Sequence, residues 1–195
     1  MGLLIPALDE GSVGAVVAGF SVGVVFLLVS RAVLEARDVH VGQFRGAGVR
    51  RSVLVFAVLL VHSLPEGLAI GTAFASDTEG LGLFVILAIA LQNIPEGTSV
   101  AIPMDAAGFR PGQQFWAAVL TSAPQPFGAI LAYLLVEQVE GLLPFSFAFA
   151  AGAMLCLVVV EIAPEAFRRG SRLLAVAGTT AGALLMLALA ALLGV

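Results

Sequence analysis

The sequence predicts an all-α membrane protein, a polytopic bundle of about six transmembrane helices. Three observations carry that prediction. Hydrophobic residues make up 60% of the chain and charged residues 11%, with a mean hydropathy of +1.08. A water-soluble core of 195 residues could not hide so much apolar surface, whereas lipid requires it. The apolar residues come in runs of roughly 20, the length of helix that crosses a hydrocarbon core. Finally, the arginines fall in alternate connections between those runs, as they do in a chain that passes back and forth.

The first run, Val13 to Val33, follows Asp9 and Glu10 and leads into a connection marked by Arg31, Arg37, Arg45, Arg50 and Arg51. The second, Ser52 to Ala75, stops at Asp77 and Glu79, and the third, Leu81 to Met104, stops before Arg110. The fourth, Phe115 to Val136, is closed by Glu137 and Glu140, and the fifth, Leu143 to Phe167, by Arg168, Arg169 and Arg172. Leu173 to Leu193 is the sixth. Threaded in this order, all nine basic residues fall at one end of the bundle and the loops at the other end hold only acids. Positive residues mark the cytoplasmic face, so the sequence predicts a multi-pass protein of the cell membrane with both termini outside.

Composition also excludes function classes. Every basic residue is Arg, and without a Lys the chain has no Walker A lysine and no Schiff-base lysine, so neither a nucleotide cofactor nor that covalent chemistry is expected. The lone Cys156 excludes an intrachain disulfide and any cysteine-pair metal site. With a net charge of −4, no nucleic-acid partner is expected. The partners expected are the lipid bilayer and a divalent metal ion.

The metal ion is implied by charges that lipid should forbid. After the loop acids are set aside, Glu66, Glu96, Glu161 and Glu165 remain within the apolar runs. The last two fall near the cytoplasmic end of the fifth run, where they read either as an exit site or as helix-end charges beside Arg168 and Arg169. Glu66 and Glu96 fall mid-run, where an ionised group costs several kcal/mol and marks an ion or substrate path. His62 and Glu66 stand one helical turn apart, and Gln92, Asn93 and Glu96 stand three or four residues apart, so each set shares a helix face. Pro65 and Pro95 precede the two glutamates. Each kinks its helix and frees a carbonyl four residues back, on Val61 and Leu91, for an ion or water. Two carboxylates would balance one divalent cation, and imidazole and amide donors complete its shell without adding charge. A nitrogen and oxygen site lacking thiolate suits Zn²⁺, and also Fe²⁺, Mn²⁺ or Cd²⁺.

The stretches HSLPEGLAIG from His62 and LQNIPEG from Leu91, with FAAGAMLCLVVVEIAPEA from Phe149, resemble signatures of the Zrt/Irt-like (ZIP) divalent-metal transporters. The resemblance covers all six runs and aligns them with the family's helices three to eight, so residues 1–195 form a single ZIP-like transmembrane domain without counterparts of the first two helices. It implies a transporter moving zinc or a related cation toward the cytoplasm, often as a homodimer, with His62, Glu66, Gln92, Asn93 and Glu96 as metal ligands. It also implies a moving unit built from the family's helices one and four to six. Two departures stand near the expected site. Ser63 occupies a position where the family has Asn and reads as a shorter ligand or a hydrogen-bond support, and Gln125 stands in place of a carboxylate, which questions a second metal.

Two other classes stay open on the sequence. A non-transporting subunit or fragment would keep the same ligands. An intramembrane metallohydrolase would also set His and Glu in apolar helices, but its chemistry wants an H-E-x-x-H pair, and His62 is the only histidine in any run. The expectation is therefore a transporter and not an enzyme, driven by the ion's gradient and the membrane potential.

Overall fold

The computed structural model describes residues 3–36, 47–139, 142–169 and 171–194. Among them every regular element is a helix, and six helical stretches are long and apolar enough to cross a membrane, starting and ending close to the predicted runs. Arg37, His40, Arg45 and Glu140 lie outside the described residues, as do the side chains of Glu161, Glu165, Arg168 and Arg169.

The chain starts with a short helix, α1 (Leu4–Glu10), which lies against the start of α7. Next, α2 (Val13–Glu35) opens on Ser12, whose hydroxyl accepts the Ala15 N–H at 3.2 Å and so satisfies one of the donors a helix start leaves unpaired. The next two helices, α3 (Ala47–Ala75) and α4 (Leu81–Ala106), carry the two Pro-Glu-Gly segments, and neither is interrupted at Pro65 or Pro95. At the arginine end, Arg31 pairs with Glu35 at 2.7 Å and the Arg50 guanidinium donates to the Glu35 carbonyl at 3.4 Å, tying α2 to α3.

The fourth run is not one helix. It divides into α5 (Pro111–Thr121) and α6 (Pro124–Gln138), because Pro124 has no N–H to continue the ladder. Three tight turns bridge the joint, from Ser122 to Val119, Ala123 to Leu120 and Gln125 to Ser122. Proline alters the fifth run as well. After α7 (Leu142–Leu157), residues Val158–Ile162 widen into a π-helical turn, in which the Ala163 N–H reaches the Val158 carbonyl, before α8 (Ala163–Arg169) resumes. Pro164 cannot bond the Val160 carbonyl and its ring would crowd it, and a wider turn relieves both problems. The last helix, α9 (Arg172–Leu193), is capped by Ser171 at one end and by Gly194, at a φ of 74°, at the other.

Packing joins the helices in two close pairs. Along one seam, α2 lies on α7 with Gly19 and Gly23 over the main chain of Phe145 and Phe149. Along the other, α3 lies on α6 with Gly67 and Gly71 over the main chain of Gln125 and Ala129, where a Cβ would collide with backbone. Small residues permit such close contact between membrane helices, where water is not available to drive association. Helix α4 packs against α3 and α5, while α9 packs mainly on α4 and α8 among the described residues and buries none of its own.

Two apolar cores form inside the bundle. One gathers Ala69, Ala73, Val85, Ile89 and Phe147, and the other Leu59, Val100, Met104 and Leu157. Along α3 and α4 the segments between the two cores are residues 60–68 and 90–99, which hold both sets of polar side chains. The fold therefore sets a polar layer between two apolar plugs.

Candidate metal site

Helix α3 contributes His62, Ser63 and Glu66 to that layer, all buried, with Glu66 at 0% exposure. A carboxylate so placed must find partners or lose its charge, since desolvation costs far more than one hydrogen bond returns. Glu66 finds them on two other helices. Its Oε2 accepts from the Gln125 amide of α6 at 2.6 Å, and its Oε1 accepts from the Gln92 amide of α4. On the same side as Gln92, His62 Nε2 faces Glu66 Oε1 at 3.6 Å. Oε1 is thus the corner where imidazole, carboxylate and amide meet.

The remaining members of the α4 set divide. Glu96 follows Gln92 by one helical turn on α4, and its own Oε1 is buried without a hydrogen-bond partner among the described residues. The same is true of His62 Nδ1. Asn93 turns instead to Gln125, donating to its Oε1 at 3.2 Å and accepting from its Nε2 at 3.2 Å. Ser63 points its hydroxyl at the Leu59 carbonyl, 3.1 Å away on its own helix, so its proton serves the backbone. Thr98 and Ser99 both donate to the Pro95 carbonyl, at 2.7 and 3.0 Å, just beyond Glu96.

The structure therefore brings together His62, Glu66, Gln92, Asn93 and Gln125 in one network, with Glu96 one turn away on α4, while Ser63 lines the layer without joining the network. Among the described residues no three His, Cys, Asp or Glu side chains form a metal-binding group on their own. Amides complete the cluster. Sequence reasoning placed Gln125 near the site but missed that it would bind Glu66 directly. The signal was present in Ala-Pro-Gln-Pro, since two prolines flanking a polar residue in an apolar run announce a broken helix with a new first turn at that depth. Gly67 supplies the other half of the reason. With no Cβ at that position, the α6 main chain at Gln125 sits directly on α3 beside Glu66.

The family signature for "ZIP Zinc transporter" matches residues 13–190, which takes in the first five spans, most of the sixth and every residue of the cluster. The chain belongs to the ZIP family. Among its ZIP relatives, the zinc transporter GufA of Myxococcus xanthus is 36% identical over 203 residues, covering 98% of this chain and 80% of its own. The zinc transporter ZIP11 of Homo sapiens is 34% identical over 156 residues, 77% of this chain and 46% of its own. A candidate zinc transporter of Arabidopsis thaliana is 36% identical over 165 residues, 84% of this chain and 27% of its own. This chain thus spans most of the bacterial relative but less than half of the other two. Membership in a transporter family, with six apolar helices, makes it a multi-pass membrane protein of the ZIP type and not an enzyme.

Proposed function

We propose that this ZIP-family chain carries zinc, or a related divalent cation such as Fe²⁺, Mn²⁺ or Cd²⁺, toward the cytoplasm through the polar layer between the two apolar cores. The observation that carries this reading is the convergence of His62 and Glu66 on α3 with Gln92 on α4 at one buried carboxylate corner, with Asn93 in the same network and the buried Glu96 Oε1 one turn along α4 from Gln92. Acidic residues at the outer end, including Asp77 and Glu79, attract cations weakly. The ion then exchanges its water for these side chains, and rotation of the Gln92 amide turns its oxygen, in place of its nitrogen, toward the ion.

Pro65 and Pro95, each just before a glutamate of the site, favour a site of this kind, because each leaves a main-chain carbonyl one turn back without its usual donor. The two glycine-sealed pairs favour movement of α3 and α6, with α4 and α5, against α2 and α7. A potential of 100 mV, negative inside, would drive a divalent ion inward by about 4.6 kcal/mol, twice the value for a single charge, and needs no nucleotide. Family resemblance adds a homodimer, which chemical crosslinking in the membrane checks.

Zinc uptake into proteoliposomes holding this chain tests the reading. Uptake is expected in the native protein and is expected to vanish in Glu66→Ala and Glu96→Ala. Uptake that survived both substitutions would remove the site assignment, and binding without uptake would leave a metal-holding subunit in place of a transporter.

A further inference from the structure

The reading just given treats Asn93 as one of several donors around an ion, but the hydrogen bonds separate it from the others. Glu66 accepts and cannot donate as a carboxylate, so the Gln125 group facing its Oε2 at 2.6 Å must be the amide nitrogen. That choice fixes the rest. With its nitrogen on Glu66, Gln125 directs the second proton of that nitrogen to Asn93 Oδ1 and its oxygen to Asn93 Nδ2, each at 3.2 Å. The two amides close a reciprocal pair, and Gln125 has neither a free proton nor an unengaged oxygen face toward Glu66. Its main chain is held in place by Gly67, over which it lies without an intervening side chain.

We propose that Asn93 and Gln125 stand outside the ion's coordination shell as a closed amide pair that holds Glu66 by Oε2, so that Glu66 meets the ion through Oε1 alone. The inference rests on the metal-site reading above. It assigns Asn93 and Gln125 as positioning residues and leaves His62, Glu66, Gln92 and Glu96 to touch the ion. Three helices are then linked through one carboxylate, with α6 holding one of its oxygens and α4 approaching the other. An amide outside the shell fixes the orientation of a ligand and changes affinity without changing the donor set.

Cobalt(II) titrated into the purified full chain in detergent separates these roles, because its visible absorption bands report donor identity and geometry. Asn93→Ala and Gln125→Met are each expected to weaken Co²⁺ binding about tenfold or more while leaving band positions and shape unchanged. The double variant is expected to bind no more weakly than either alone, because both remove one unit. Shifted bands in either single variant, unchanged affinity in both, or additive losses in the double variant would overturn the proposal. The two substitutions lie on different helices, so failure of Gln125→Met to fold leaves Asn93→Ala as a test. His62→Ala and Glu66→Ala are the controls for the underlying reading. If they leave the bands unchanged, the metal site itself is elsewhere, whatever the amide pair does.

Discussion

At the scale of single residues, the decisive fact is that a carboxylate with no solvent exposure has both oxygens bound by amides from other helices. Glu66→Gln keeps the shape but removes the charge that a divalent ion needs, and is expected to reduce zinc uptake at least a hundredfold, measured as initial rate in proteoliposomes. Because carboxylates must be ionised and imidazole neutral to bind metal, protons compete at every ligand of this set. Zinc affinity is expected to fall as pH falls, and a titration of binding from pH 8 to 5 checks the sign. Much of this cluster was legible in the sequence. His62, Glu66, Gln92, Asn93 and Glu96 were marked by polarity in apolar runs and by spacing that put each set on one helix face. The partner each side chain would choose was not legible, since helix periodicity gives the face but not the depth or roll of a neighbouring helix. Ser63 illustrates the limit, being beside His62 in sequence yet bonded to its own backbone.

At the scale of helices, proline and glycine position the side chains that bind. The six spans were readable from hydropathy because lipid demands long apolar runs, but the break before Pro124 and the π-helical turn before Pro164 were not, because hydropathy is blind to backbone hydrogen bonding. The two Pro-Glu-Gly segments look alike in sequence and differ in packing. A Cβ at Gly67 would strike the Gln125 main chain, whereas a Cβ at Gly97 would lie 3.4 Å from the Ala118 Cβ, an ordinary contact. Gly67→Ala is therefore expected to loosen α3 from α6 and lower the melting temperature in detergent by several degrees, the effect of a loss of about 1–3 kcal/mol from overpacking. Gly97→Ala is expected to leave it within a degree or two. Equal effects at both positions would mean that the α3–α6 seam is not the tight one. Repetition in the sequence pointed to both segments as sites. Only the folded chain separates the glycine that lets another helix approach from the one that does not.

At the scale of the whole molecule, charge asymmetry supplies an orientation that the fold alone leaves open. If the arginine end faces the cytoplasm, a cysteine placed at Arg110 is expected to react with membrane-impermeant maleimide only after cells are opened, and one placed at Glu79 before. The reverse pattern would invert the proposed direction of transport. Movement of a divalent ion without a compensating charge is expected to be electrogenic, so a potassium diffusion potential, negative inside, should speed zinc entry into vesicles and a positive one should slow it.

The helices of this chain also differ in how firmly they are held. Helix α9 buries no residue and among the described residues meets the bundle mainly at α4 and α8, whereas α3 is enclosed by α4, α6 and α7. Its place in the membrane depends on lipid more than on protein. Drawn out mechanically by a force probe attached near Gly194, the molecule should therefore yield α9 first, in a small separate step, and resist only when the pull reaches the glycine seam of α7 with α2. The same helix should exchange its amide hydrogens and its lipid neighbours fastest.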